Sequence, residues 1–240
     1  MKRNLLLTFV LVVSLSAISI FAGNEAQTYI DSARLKASNG DFNGVMQDFT
    51  KVIELEPKNA IAYYNRGIAK GRLGDYEGEL KDLTKAIELD PKYADAYHNR
   101  GFAKSKSGDN KGAIEDYTKA IKLAPQVDTY YNRGIAKSKS GDNKGAIEDY
   151  TKAIALDPKY AGAYYYSGLA KGDLGDFAGT IEDFTKLIEL DPKNDDAYYY
   201  RGMAKKQLND TAGALEDLKK AGELGNNYAD QEIKIIQDPK

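Results

Sequence analysis

The 240-residue sequence contains no cysteine and no tryptophan, and its only histidine is His98. The absence of cysteine excludes disulfides, thiolate metal ligands and thiol nucleophiles. A single histidine cannot complete a site that needs two imidazoles, and we expect the protein to hold no metal ion and no cofactor. The 34 basic and 36 acidic side chains also lack the basic excess that is typical of a nucleic-acid-binding protein.

Charged residues are absent from the N-terminal segment between Leu5 and Ala22, which follows Lys2 and Arg3. A basic start followed by a short apolar run is typical of a secretory signal peptide. We therefore expect residues 1–22 to be a signal peptide that is cleaved after Ala22, and the protein to be exported to the periplasm, the cell envelope or the extracellular space. The alternative is an uncleaved membrane anchor, although eighteen residues are at the short end for a membrane span.

The rest of the chain repeats itself with a period of 33 or 34 residues, as the spacing of its prolines and glycines shows, and residues 103–121 are identical to residues 136–154. Each period contains two helical patterns. In the second pattern apolar residues are spaced three and then four apart, as in Met46, Phe49 and Ile53, which is one face of an α-helix. An aspartate precedes each second helix, where its carboxylate can accept free N–H groups. In five periods the first pattern contains a glycine, which predicts close packing by another helix.

This pattern resembles that of the tetratricopeptide repeat family. One period matches the family's aromatic, small and proline positions in order through Tyr97, Gly101, Ala113, Tyr117, Ala120 and Pro125. The resemblance implies an all-α fold, a right-handed superhelical solenoid of helix-turn-helix tetratricopeptide repeats. We expect six repeats over residues 26–228 and a capping helix over residues 228–237. The expected repeats are 26–59, 60–93, 94–126, 127–160, 161–194 and 195–228.

Charged side chains also recur from repeat to repeat. An aspartate such as Asp82 occupies the same place in all six repeats, and a lysine such as Lys85 follows three residues later. This aspartate either pairs with that lysine on one helix face or reaches an arginine or lysine of the first helix, such as Arg66 or Lys70. Both interpretations are structural, since equivalent ion pairs lack the asymmetry of a catalytic carboxylate pair. We therefore expect no enzymatic activity.

In the tetratricopeptide family the first helices line the inner surface of the array, and we expect a partner-binding groove there. His98 belongs to this face as a variant of a repeated tyrosine position. The side chains that face the groove, taken at helical spacing, are Tyr64, Ile68, Arg72, His98, Phe102, Lys106, Tyr131, Ile135, Lys139, Tyr165, Leu169, Tyr199 and Met203.

These bands of aromatic, aliphatic and basic residues predict an exported, non-enzymatic scaffold that binds a protein or peptide ligand. The ligand would be a peptide or a helix with apolar anchors and an acidic flank. We expect no nucleic acid partner, and contact with a membrane only through the N-terminal segment if it is uncleaved. Two alternatives stay open. The protein could be a glycan or cell-wall binding module in which sugars stack on the tyrosines, or part of the aromatic band could simply pack between helices.

Overall fold

A computed structural model describes residues 25–238, so the predicted signal peptide lies outside the described residues. Within them the chain forms thirteen α-helices and no strand. No helix among residues 25–238 is both long enough and apolar enough to cross a membrane. The chain divides into two compact units, Met1–Ser107 and Gly108–Lys240, which are described in turn.

Residues 25–107 of the first unit form five helices. They are α1 (25–38), α2 (Phe42–Leu55), α3 (Ala60–Arg72), α4 (Tyr76–Leu89) and α5 (Ala94–Lys106). Within this unit α2 packs on α3, α3 on α4 and α4 on α5. Phe49 and Val52 of α2 are buried together with alanines of α1 and α3, and Ile87 of α4 is buried against Ala96 of α5.

The second unit contains eight helices. They are α6 (Asn110–Leu123), α7 (Val127–Lys139), α8 (Asn143–Leu156), α9 (Ala161–Asp173), α10 (Phe177–Leu190), α11 (Asp195–Gln207), α12 (Thr211–Leu224) and α13 (Ala229–Gln237). Each again packs on its neighbour in sequence. The core is built from buried alanines and from one large side chain of each second helix, Tyr117, Tyr150, Phe184 and Leu218.

The second helix of each repeat begins at an aspartate that caps it. In all six cases the carboxylate accepts a hydrogen bond of 2.9 Å from the backbone N–H three residues later, which confirms the predicted cap. That third residue is glycine in all six repeats, and a Cβ atom there would come very close to the capping carboxylate. The preceding turn needs a left-handed residue, which is glycine in five repeats and Asn209, with a φ of 62°, in the last.

The glycines within the first helices mark the closest packing inside a repeat. A Cβ atom on Gly168 would lie 2.8 Å from a ring carbon of Phe184, and one on Gly134 would collide with the ring of Tyr150. These contacts confirm that another helix packs too close for a larger residue. They also fix the first helix against the second, and so determine which side chains of the first helix remain available to a ligand.

Candidate functional site

The recurring aspartates bind the first helix of their own repeat. Asp82, which is 3% exposed, accepts hydrogen bonds of 2.8 Å from both Nε and Nη2 of Arg66, and Nζ of Lys70 lies 2.8 Å from its Oδ2. Lys85 instead bonds Glu88 at 2.9 Å. Of the two interpretations of this aspartate, pairing with the first helix is therefore correct. The same cluster recurs as Asp149 with Arg133 and Lys137, and as Asp217 with Arg201 and Lys205.

The electrostatics of this cluster are those of a structural element. Burial by itself raises the pKa of Asp82, but the hydrogen bonds from Arg66 and Lys70 outweigh it and hold the pKa below its usual range. The pKa of Arg66 is raised by its hydrogen bond to Asp82. Asp82 and Arg66 therefore stay charged and paired at neutral pH, which leaves neither of them as a general acid or base.

The arginine of the cluster also joins consecutive repeats. Arg133 of α7 donates through Nη1 to Thr118 of α6 at 3.0 Å, and its guanidinium carbon lies 5.7 Å from the ring centroid of Tyr130. The fifth repeat departs from this arrangement because Ser167 replaces the arginine. Within the described residues, its aspartate Asp183 forms an ion pair only with Lys171, at 2.8 Å.

In the first unit the predicted groove residues lie along α3 and α5. Those that are half-buried are Tyr64, Ile68 and His98, and those that are exposed are Arg72, Phe102 and Lys106. The Tyr64 ring packs 4.9 Å from the ring of Tyr93, and its hydroxyl accepts a 2.9 Å hydrogen bond from Asn99.

The outer part of this face combines an aromatic ring with a cation. Phe102 is 40% exposed, and Nζ of Lys106 lies 4.8 Å from its ring centroid. Such a pair offers both apolar area and positive charge to a ligand.

An acidic group that the sequence pattern did not predict also lies at this face. Glu79 of α4 is half-buried, and its carboxylate lies where a Cβ atom on Gly71 would be. Burial raises the pKa of Glu79, although Lys106 and Arg72 act in the opposite direction. We call Gly71, Arg72, Glu79 and Lys106 the basic-rim site. A comparison of repeats could have found Glu79, because three of the equivalent positions are Ala113, Ala146 and Ala214.

In the second unit the predicted residues lie along α7, α9 and α11. Lys139 is exposed, and the half-buried ones are Tyr131, Ile135, Tyr165, Leu169, Tyr199 and Met203. The Tyr131 ring lies 5.1 Å from Tyr160 and 5.8 Å from Tyr166, and Tyr165 lies 6.0 Å from Tyr200. Part of the aromatic band thus packs between helices.

Tyr166 and Tyr200 also belong to this group of rings, although neither was among the predicted groove residues. Both lie two residues before the glycine of the first helix. A signal for them exists, because asparagine occupies this position in three earlier repeats, at Asn65, Asn99 and Asn132.

A cavity of about 210 Å³ lies between α9, α10 and α11. Two predicted groove residues, Leu169 and Met203, line it, and its rim includes the exposed side chains of Asp173 and Gln207. We call it the apolar cavity, since the other side chains around its interior are Phe177, Thr180, Phe184 and Tyr200. Within residues 25–238 no group of three or more acidic or histidine side chains is arranged to hold a metal ion.

Family models described as tetratricopeptide repeat match most of the chain. One matches residues 94–126 and 127–160, another residues 49–81 and 184–216, and a third residues 161–194. A model described as TPR repeat matches residues 72–108. Together these matches cover residues 49–216. No curated protein sequence matches the chain.

Solved structures of tetratricopeptide proteins are similar to this chain. YrrB, described as a TPR protein with an unusual peptide-binding site, is 27% identical with a TM-score of 0.72, over 78% of this chain and 97% of that one. MamA is 28% identical with a TM-score of 0.68, over 73% of this chain and 97% of that one. A tetratricopeptide repeat protein from Parabacteroides merdae, 18% identical with a TM-score of 0.67, covers 90% of this chain with 100% of its own length, and shows the fold alone. The predicted all-α fold class of tetratricopeptide solenoids is confirmed.

Proposed function

Because the chain belongs to the tetratricopeptide repeat family, we propose that it is a non-enzymatic scaffold that binds a peptide or a helix of a partner protein on the first helices of its repeats. The observation that carries the proposal is the apolar surface of these helices, where exposed Phe102 and the apolar cavity are open to a ligand. The similarity to YrrB, whose description names a peptide-binding site, supports a peptide as the ligand.

The geometry of the tyrosines favours a peptide over a glycan. Sugars stack on the free face of an aromatic ring. The Tyr131 ring has three other tyrosine rings within 6.3 Å, and Tyr165 lies edge-on to Phe184 with an interplanar angle of 89°. Such rings contribute edges and hydroxyls to the surface more than open faces, which suits apolar and polar contacts with a polypeptide.

Site-specific photocrosslinking in the source cells tests the scaffold. A photoreactive phenylalanine analogue replaces Phe102 in one variant and Gln207 in another, both exposed on first helices. The control variant carries it at Lys152, which is exposed on the second helix α8. We expect a discrete protein adduct from positions 102 or 207 and none from position 152. Equal labelling at all three positions, or no protein adduct, contradicts the proposal, and binding of the purified protein to a glycan array favours the sugar alternative.

We also propose that residues 1–22 direct export and are removed. The support is the uncharged segment from Leu5 to Ala22 behind two basic residues. Mass spectrometry of the protein from fractionated source cells tests this. We expect a mature N-terminus at Gly23 in an exported fraction, whereas an intact N-terminus in the membrane fraction identifies the anchor, and an intact N-terminus in the cytoplasm contradicts export.

A further inference from the structure

We propose that the apolar cavity between α9, α10 and α11 is a pocket for one large apolar side chain of the partner, and that Asp173 at its rim selects a basic residue next to that side chain. The inference rests on the proposed function, since it names the peptide that the second unit prefers. It differs from the acidic flank expected from the sequence, which was based on the basic residues of other repeats.

The size of the cavity fits a single side chain. An apolar protein cavity of about 150 Å³ holds one benzene molecule. The cavity of about 210 Å³ is therefore large enough for a phenylalanine, leucine or methionine side chain. The rings of Phe184 and Tyr200 form one side of the cavity and stack on each other, with their centroids 5.4 Å apart.

The hydroxyl of Thr180 inside the cavity already has partners in the chain. It lies 2.9 Å from the backbone oxygen of Asp176 and 3.1 Å from that of Gly168. An apolar ligand group can therefore enter without leaving this hydroxyl unpaired, and a polar ligand group would lose its own hydrogen bonds to water.

The fourth repeat shows why the cavity is open in the fifth. In the fourth repeat Ser138 donates to Asn143 at 2.9 Å, and Asn143 donates to Asp173 at 3.3 Å, so a chain of polar side chains occupies the equivalent place. In the fifth repeat Gly172 replaces the serine and Phe177 replaces the asparagine. This pair of differences removes the polar chain and leaves apolar surface instead.

The charge at the rim points to a basic neighbour. Asp173 stands where the fourth repeat has Lys139, so the sign of the rim charge is reversed. The C-terminal third of the sequence is acidic as well, since residues 161–240 contain 15 Asp and Glu against 10 Lys and Arg. A lysine or arginine beside the apolar anchor would meet attraction from Asp173, and an acidic residue there would meet repulsion.

Methyl NMR titration with three capped dipeptides tests the pocket. The probes are acetyl-Phe-Lys-amide, acetyl-Phe-Glu-amide and acetyl-Ala-Lys-amide, and the signals observed are the methyl groups of Leu169 and Met203. We expect Phe-Lys to shift both signals saturably at millimolar concentration. We expect Ala-Lys to bind at least tenfold more weakly, because it lacks the apolar anchor, and Phe-Glu several-fold more weakly.

Two variants separate the pocket from a general surface effect. Gly172→Leu should fill the cavity, since a Cβ atom there meets only the Thr180 hydroxyl, at 3.5 Å. It should raise the melting temperature by removing a glycine from a helix while it weakens Phe-Lys binding at least tenfold. Asp173→Asn should abolish the preference for Phe-Lys over Phe-Glu. The matched control Glu182→Gln removes an exposed carboxylate of α10 and should keep that preference.

The inference is wrong if Ala-Lys binds like Phe-Lys, if Gly172→Leu binds like the native chain, or if Asp173→Asn keeps the preference. Photocrosslinking distinguishes this failure from a failure of the proposed function. A protein adduct at Gln207 together with no dipeptide binding overturns the pocket and leaves the scaffold standing. Dipeptide binding without any protein adduct supports the pocket and overturns the scaffold.

Discussion

The same place in the helical array has opposite character in the two units. Between α3, α4 and α5 the basic-rim site has Arg72 and Lys106 around the carboxylate of Glu79, which fills the space beside Gly71. Between α9, α10 and α11 the equivalent space beside Gly172 stays open as the apolar cavity. Both repeats have a glycine at a position where two other repeats have serine, which leaves space beside the helix. The carboxylate of Glu79 fills this space in the first unit, whereas the space stays open in the second unit.

The net charges of the two units differ as well, and the second unit is the more acidic one. Residues 25–107 contain 13 acidic and 13 basic side chains, whereas residues 108–240 contain 23 acidic and 19 basic ones. The packing positions of the repeats meanwhile hardly change. Duplicated repeats thus keep the contacts that hold two helices together and differ on the surface of the first helices, which is the proposed binding surface.

The largest expected difference between the units concerns the buried aspartates. Asp82→Ala in the first unit leaves Arg66 and Lys70 without their partner, and we expect a loss of about 3–5 kcal/mol in the free energy of unfolding. Asp183→Ala in the second unit strands only Lys171, which can extend toward water, and we expect a loss of roughly 1.5–3 kcal/mol. Urea denaturation followed by circular dichroism measures both.

Hydrogen exchange then shows which helices each substitution destabilises, since unfolding of a repeat array need not be all-or-none. We expect faster exchange in α3 and α4 for Asp82→Ala, and in α9 and α10 for Asp183→Ala. Equal losses from the two substitutions would contradict the idea that the arginine makes the difference. Restoring the arginine through Ser167→Arg is no clean control, because Ser167 is buried.

Packing residues were predictable from the sequence because they repeat. The period placed the capping aspartates and the close-packed glycines, and both expectations hold in the structure. The choice between Lys85 and Arg66 as partner of Asp82 was not predictable, because it depends on the distance between two helices. Glu79 and the cavity beside Gly172 were missed for another reason. Each is an exception to the repeat, and a pattern of recurring residues does not predict the positions at which one repeat differs.

An intermediate effect is expected at a buried tyrosine of the second unit. Tyr150 is 0% exposed, and within the described residues its hydroxyl has no hydrogen-bond partner. An unpaired buried hydroxyl costs about 1–3 kcal/mol, and the next repeat has Phe184 at this position. We expect Tyr150→Phe to stabilise the protein by about 1 kcal/mol, measured as a higher urea midpoint.

The control for this prediction is Tyr160→Phe. The hydroxyl of Tyr160 donates to Asp128 at 2.7 Å, so its removal should lower the midpoint. If Tyr150→Phe lowers the midpoint as well, the Tyr150 hydroxyl has a partner in solution, such as a bound water molecule, and the prediction is wrong.

The smallest expected effect concerns Glu79 of the basic-rim site, whose pKa shifts in the opposite direction to that of Asp82 on the same helix. The pKa of Asp82 is lowered, so the stability that its carboxylate contributes is complete above the pKa of the unfolded chain and is lost as the pH falls through the folded-state pKa. The pKa of Glu79 is raised, chiefly by burial, so the folded chain binds its proton more tightly than the unfolded chain does. Protonation of Glu79 therefore favours folding, and the ionised group opposes it at neutral pH.

Glu79→Gln isolates this effect, because it removes the charge and keeps the shape. We expect the variant to be more stable than the native chain at pH 7 by about 0.5 kcal/mol, since the site is half-buried and solvent screens it. Urea midpoints of both proteins between pH 4 and pH 8 should converge toward the acid end, where Glu79 is protonated in the native chain. A difference that does not change with pH would contradict this assignment, because Glu79→Gln keeps the shape of the side chain and removes only its ability to ionise.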